Sequence, residues 1–334
     1  MFLCRGSIKD GLGHVTRSLA VAQELRLQAD TLLVCIGDPF VERLLFNHPL
    51  DYKIVATQQA ALELLRDYHP DIVVFDMLSI ESGLFDIISR EASTVSLSPV
   101  FNCLSQVDLL FHRTRYWADD WGGEHFKPVV RSGLEYAVVS NHCIQISSDV
   151  YRANLDYPYL STAISMGGTD AANKTFRVLE SIKDLPEKMV IWVMLGEGYA
   201  HSYQDLVDCV GNSNHEIILA KSNDSMWRIL STCSLAILSG GTTTYEAVYA
   251  GLPSINFLGN KQSQFLIQEL VDDGVVLPAG WDFEEGLAIS RQLIGEIYHD
   301  RDRLWTMHQK SRGLMDGLGA QRVAKGILEI CPAS

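Results

Sequence analysis

Three short glycine turns, and the residues that close them, carry the chemistry this chain can offer. The first is Gly11-Leu12-Gly13-His14, ahead of an amphipathic stretch at 15–28. The second is Gly167-Gly168-Thr169-Asp170, with Asn173 close behind. The third runs from Ser239 through Gly240, Gly241, Thr242, Thr243, Thr244 and Tyr245 to Glu246. Glycine lets backbone approach an anion closely, and a helix that follows supplies open N–H groups and a partial positive charge. Hydroxyls at Thr169, Thr242 and Thr243 can add donors to phosphate oxygens. Any one such turn can equally be tight packing with a helix cap. Two of them in one half of the chain, each with hydroxyls, point to a diphosphate. Neither is a dinucleotide fingerprint, because G-x-G-x-x-G is absent, and no phosphate loop of the G-x-x-x-x-G-K-[ST] type occurs.

Five side chains in or near these turns could react or bind. A histidine at a helix start has its cationic form disfavoured, so His14 is expected to stay neutral near neutral pH and accept a proton. Its plainer reading is a capping or packing residue. Asp10 shares its loop and Asp76 ends the apolar run at 72–76; either could orient or stabilise a protonated His14, and either could be an ordinary turn acid. Arg17 lies one helical turn beyond His14 and suits packing or a ligand. Glu246 sits one turn into its helix, where a carboxylate repels phosphate but can accept both hydroxyls of a ribose. The alternative is an exposed acid favoured by the helix dipole.

Such turns work only where strands deliver them. Apolar, β-branched runs predict strands at 2–5, 32–36, 53–56, 72–76, 94–98, 109–112 and 136–140, with helical stretches such as 15–28 and 60–68 between them. A break at 149–161, with Tyr151, Asn154, Asp156, Tyr157, Pro158 and Tyr159 in quick succession, is read as a linker. A second series follows at 162–166, 189–195, 216–220, 235–238, 254–258 and 275–277. The pattern predicts an α/β fold of two Rossmann-like, doubly wound domains facing across a cleft: residues 1–150 for the base and acceptor, 151–161 as linker, 162–334 for the nucleotide. The helical stretch at 302–330 could pack back on the first domain. Ligands of such sheets bind at the carboxyl ends of the strands, where the three turns fall.

With 334 residues, 47% apolar and 20% charged, the chain can bury two cores. A formal charge of -14 argues against nucleic acid or an anionic membrane as partner. Seven cysteines without a C-x-x-C pair argue against a zinc site or a disulfide framework, and for reduced thiols. The longest apolar run, 189–195, is too short to span a bilayer, and no signal-peptide region is seen, so a cytoplasmic, non-transmembrane protein is expected.

The residues Gly13-His14-Val15-x-Arg17, Gly167-Gly168-Thr169-Asp170-x-x-Asn173 and Ser239-Gly240-Gly241-Thr242-Thr243-x-Tyr245-Glu246-Ala247 resemble, in order, those of PseG-type UDP-sugar hydrolases. These are related to MurG and other two-Rossmann (GT-B) glycosyltransferases. Gly251-Leu252-Pro253, Gln262 where the family has Asn-Gln, and more weakly Gly133-x-x-Tyr136 extend the likeness. The resemblance implies UDP held mostly by the C-terminal domain. Gly167, Gly168 and Thr169 with Gly241, Thr242 and Thr243 would surround the diphosphate, and Glu246 would take the ribose hydroxyls. The 222–226 loop, with Asn223 and Met226, would pass the base, and Gln262 would reach the transferred sugar or the phosphates. His14 matches the catalytic histidine that activates the attacking hydroxyl. No metal or other cofactor is implied; Asp119-Asp120 reads as a solvated loop.

The family carries Asp-His-Tyr at the end of the strand that here reads Asp76-Met77-Leu78-Ser79. Apolar neighbours there suggest a different sugar or acceptor. The leading expectation is therefore an inverting, metal-independent glycosyltransferase-type enzyme using a UDP-sugar and an unknown acceptor, with His14 as base. Water as acceptor would make it a hydrolase. An epimerase or a non-catalytic nucleotide-sugar sensor are the other readings.

Overall fold

The computed structural model describes residues 1–117, 125–221, 226–259 and 264–330. Its first unit contains β1 (Phe2–Gly6), α1 (Gly13–Leu25), β2 (Leu32–Gly37), α2 (Glu42–Leu45), β3 (Asp51–Val55), α3 (Gln58–Tyr68), β4 (Ile72–Asp76), α4 (Ser82–Glu91), β5 (Ser93–Ser96), β6 (Leu109–His112) and β7 (Val129–Ser132). These strands form one parallel sheet of order β3-β2-β1-β4-β5-β6-β7. Its central strands are buried on both faces, which is why they read as unbroken apolar runs: Leu33, Val34 and Cys35 are all fully buried.

The second unit contains α5 (Ser148–Asp156), β8 (Leu160–Ser165), α6 (Lys174–Ile182), β9 (Met189–Leu195), α7 (Tyr203–Gly211), β10 (Glu216–Lys221), α8 (Met226–Leu230), β11 (Leu235–Leu238), α9 (Thr242–Ala250), β12 (Ser254–Asn256), α10 (Phe265–Asp272), β13 (Val276–Pro278), α11 (Phe283–His299) and α12 (Arg301–Ser311). Its parallel sheet has the order β10-β9-β8-β11-β12-β13.

Contacts divide the chain into Met1–Ser140 with the chain from Asp316 onward, and Asn141–Met315. The last helix, α13 (Gly319–Leu328), thus belongs to the first unit, where it packs on α1. Two sequence expectations are corrected here. Residues 151–161 are no linker: α5 belongs to the second unit, where buried Tyr151 donates its hydroxyl to Ser234 O at 2.7 Å and Asn154 Nδ2 donates to Ser231 O at 2.9 Å. The polar residues that looked like a break are anchors. Residues 136–140 are not a strand either. Ala137, Val138 and Val139 are apolar because they are buried, and a Cβ on Gly319 of α13 would lie 2.1 Å from Ala137 O. The seventh strand is β7, an edge strand whose partly exposed Val-Val-Arg-Ser shows no apolar run.

In each sheet the strand order reverses once, between β1 and β4 and between β8 and β11. Loops leaving such a pair diverge and open a crevice at the carboxyl ends of the strands. His14 follows β1 and Asp76 ends β4; the Gly167 turn follows β8 and the Ser239 turn follows β11. Among the described residues no helix is long and apolar enough to cross a membrane.

Candidate functional site

In the first unit the reversal point holds a charged cluster. Asp76 is fully buried, and its carboxylate accepts from His14, Arg17 and Ser18. His14 Nδ1 lies 2.6 Å from Oδ1, Arg17 Nε 2.8 Å from Oδ2, and Ser18 Oγ 3.3 Å from Oδ2, while Arg17 Nη2 closes a second contact on Oδ1. The arginine fork therefore grips both carboxylate oxygens, the strongest arrangement open to this pair. Burial alone would push the Asp76 carboxyl up; the Arg17 guanidinium and then His14, with the hydrogen bonds they donate, outweigh it and hold Asp76 below the ordinary carboxylate range.

This geometry assigns the histidine tautomer. A 2.6 Å contact with a carboxylate needs a proton on Nδ1, and that excludes Nδ1 as acceptor for Arg17 Nη2 at 3.2 Å. In the neutral ring Nε2 then carries the lone pair, and the side chain is 16% exposed. A histidine oriented through Nδ1 by a buried carboxylate is the arrangement of a general base. Asp10 takes no part in orienting His14; its carboxylate accepts from Ser7 Oγ at 2.7 Å. Arg17 is turned into the fold, 8% exposed, so it is placed to position Asp76 rather than to meet a ligand. Ser18 joins the cluster without having been singled out. Its signal was the helical spacing of His14, Arg17 and Ser18, which puts all three over one strand end. Gly13 opens α1, whose N-cap Leu12 offers no side-chain acceptor. After β4, Met77 is buried in the core and Leu78 is 50% exposed at the sheet's edge.

In the second unit two glycine turns meet at the reversal point. Gly167 has φ +97°, and a Cβ there would lie 3.8 Å from Ser239 Oγ in the neighbouring turn. Gly240 has φ +73°, and a Cβ would press to 3.0 Å on Phe257 O, so only glycine fits. A Cβ on Gly241, by contrast, would meet open space. Gly241 is also the N-cap of α9 and has no side chain to cap it, which leaves the first-turn N–H groups of Thr242 and Thr243 without an intrahelical acceptor. Thr244 is not part of this face; it donates to Asn256 Oδ1 at 2.6 Å and locks α9 to β12. Glu246 is 7% exposed, which rules out the solvated helix-end acid and leaves a carboxylate held inside the fold one turn behind the glycines. Cys143 Sγ donates to its backbone oxygen at 3.4 Å.

The Gly167 turn is held from outside. Asp170, at φ +44°, accepts from Lys174 N and Thr175 N at 2.8 Å each and so caps α6. Asn173, at φ +52°, precedes α6 and accepts on Oδ1 from the Tyr199 hydroxyl at 3.0 Å. Thr169 is buried beside them. Met226 begins α8, whereas Asn223 and Gln262, and the Asp119-Asp120 pair, lie outside the described residues. The Tyr199 contact was missed in the sequence, although Gly196-Glu197-Gly198-Tyr199 directly after β9 is a glycine turn of the same kind.

No family model matches the chain. It is 24% identical over 285 residues to the uncharacterized protein MJ1062 of Methanocaldococcus jannaschii, covering 80% of this chain and 56% of that protein. The chain thus spans little more than half the length of that relative. It is 25% identical over 338 residues to the spore coat polysaccharide biosynthesis protein SpsG of Bacillus subtilis, covering 95% of this chain and 94% of that one. Among solved structures, Acinetobacter baumannii MurG matches with a TM-score of 0.64 at 16% identity, over 98% of this chain and 99% of MurG. S. aureus MnaA in its UDP co-structure matches with 0.63 at 11%, over 98% and 95%. The chain shares the two-domain α/β fold of these structures.

Proposed function

We propose that this chain is a metal-independent, glycosyltransferase-type enzyme of the cytoplasm that cleaves the anomeric C–O bond of a UDP-sugar with inversion, using His14 as general base. The observation that carries the reading is the His14 Nδ1 contact with buried Asp76 at 2.6 Å, which leaves Nε2 as the proton acceptor. An acceptor hydroxyl gives its proton to Nε2 as its oxygen attacks the anomeric carbon. The bond to the diphosphate oxygen breaks on the opposite face, and its electron pair leaves with UDP. Asp76 stabilises the imidazolium as it forms, while Arg17 holds Asp76. Charge growing on the leaving group is met by open N–H groups at the Gly167 turn and the start of α9, fixed dipoles that need no reorganisation. Glu246 takes the ribose hydroxyls, Asn223 and Met226 pass the base, and Gln262 reaches the sugar or phosphates.

SpsG, aligned over nearly the whole chain, is named for polysaccharide biosynthesis, and MnaA holds UDP on the same fold; both support a nucleotide-sugar reading. Exposed Leu78, two residues after Asp76, favours an acceptor other than water.

The test is UDP release from a panel of UDP-sugars, with and without candidate acceptors. Release that depends on an acceptor, with an inverted anomeric centre by NMR, is the expected result. Rapid release into water alone, abolished in His14→Ala, would make the enzyme a hydrolase; interconversion of two UDP-sugars without release would make it an epimerase. UDP binding without turnover under any condition would make it a sensor. Failure to bind UDP, or equal binding after Glu246→Ala, would overturn the site itself.

A further inference from the structure

The segment after β9 grips the Gly167 turn at three separated points. Gly198 N donates to Gly168 O at 2.9 Å, His201 Nε2 donates to Asp170 O at 2.7 Å, and the Tyr199 hydroxyl donates to Asn173 Oδ1 at 3.0 Å. The approach is as close as backbone allows: a Cβ on Gly196 would fall 2.3 Å from Gly168 O. Tyr199 packs edge-on against the His201 ring, with centroids 5.3 Å apart. Burial, with the Asp170 and Asp205 carboxylates nearby, pushes the Tyr199 phenol up to about 12, so it remains a donor.

The consequence lies on the other side of the turn. Two of its carbonyls are turned toward this segment, and its one carboxylate is turned onto α6. Among the described residues, none of the N–H groups of Gly167, Gly168, Thr169 and Asp170 donates to a protein acceptor. Four N–H groups without a protein acceptor among the described residues, in a turn whose ends lie at φ +97° and +44°, are available to an anion. Isolated, a turn with left-handed residues would sample many shapes; here two of its carbonyls and its carboxylate are already engaged by other groups. Asn173 is fixed in the same way, since a donor on Oδ1 sets the amide orientation and leaves Nδ2 to donate outward.

We propose that residues 196–201 are a strap that holds the Gly167–Asn173 turn in its diphosphate-binding shape, and that Tyr199, acting through Asn173, is a positioning residue for the diphosphate of the nucleotide. The inference rests on the UDP reading above. It predicts that Tyr199 matters to the phosphates and not to the nucleoside, although it need not touch either.

The experiment is calorimetric titration of UDP and of uridine into the wild-type chain and Tyr199→Phe, Asn173→Ala and the double variant. Tyr199→Phe removes one oxygen and keeps the ring packing. The expected result is a rise in the UDP Kd of about fivefold to tenfold, the worth of one partly buried hydrogen bond, with the uridine Kd unchanged. The double variant should bind UDP no more weakly than Asn173→Ala alone, because Tyr199 acts through that side chain. An unchanged UDP Kd in Tyr199→Phe would overturn the strap while leaving the UDP site standing. Equal weakening of UDP and uridine would also overturn it, as general loosening of the unit. A wild-type chain that binds neither would fail the UDP reading and the strap together.

Discussion

The two sheet edges solve one problem, holding a reactive arrangement at a strand-order reversal, with different materials. The first uses a buried charge cluster: Asp76 accepts from His14, Arg17 and Ser18 and makes a histidine directional. The second uses uncharged backbone: glycines at φ +97° and +73° bring two turns together and leave N–H groups open. A charge cluster can set a tautomer and take up a proton, which suits a base. Backbone dipoles can neither gain nor lose a proton near neutral pH, which suits a diphosphate that must be held before and after reaction. The edges should therefore break under different insults.

The largest expected effect is on the first. Asp76→Ala strands the guanidinium of Arg17, itself 8% exposed, without its partner. Breaking a buried pair in this way costs about 3–5 kcal/mol, so chemical denaturation should show that loss in the first unit while hydrogen exchange in β8 and β11 is little changed. A loss under about 1 kcal/mol would mean that the cluster does not hold the first unit together.

A smaller effect should separate the units by pH. His308 lies stacked on Tyr151 at 4.2 Å and donates Nδ1 to Gly251 O at 2.6 Å. Burial lowers its pKa, and burial lowers that of His215 as well, both in the second unit. For a histidine with a depressed folded value, the unfolded chain takes up the proton first. Stability is thus complete above the ordinary histidine range and is lost as pH falls through it toward the folded value. Asp76 is also depressed, so its contribution is complete above the ordinary carboxylate range and is lost only at lower pH. The second unit should loosen before the first on acidification. Urea midpoints of the wild type and His308→Gln at about pH 7.5 and about pH 5.5 check this, the variant showing the shallower fall. Identical slopes would mean that His308 contributes nothing to the pH dependence.

The sheet and the turns were legible because both leave local marks. Central strands buried on two faces read as apolar runs, and turns needing φ > 0 read as glycine. What was not legible depends on distant partners. Residues 136–140 are apolar because α13 returns over them from almost two hundred residues away. Asn154 and Tyr151 looked like linker residues because polarity is visible in a sequence and the carbonyls of Ser231 and Ser234 that satisfy it are not. Between Asp10 and Asp76, proximity in the chain favours the first; the pairing of β1 with β4, which sets Cys4 beside Asp76, brings the second to His14 instead. Tyr199 and Asn173 meet only because β8 and β9 are neighbours.

The most direct test of the division between the two edges is His14→Ala, read for both turnover and UDP affinity. A general base contributes about a hundredfold to ten-thousandfold, so turnover of the UDP-sugar should fall by at least about a hundredfold while the UDP Kd stays within about twofold of wild type. Turnover that survives, or UDP affinity that falls together with it, would contradict the assignment of chemistry to the first unit and nucleotide to the second.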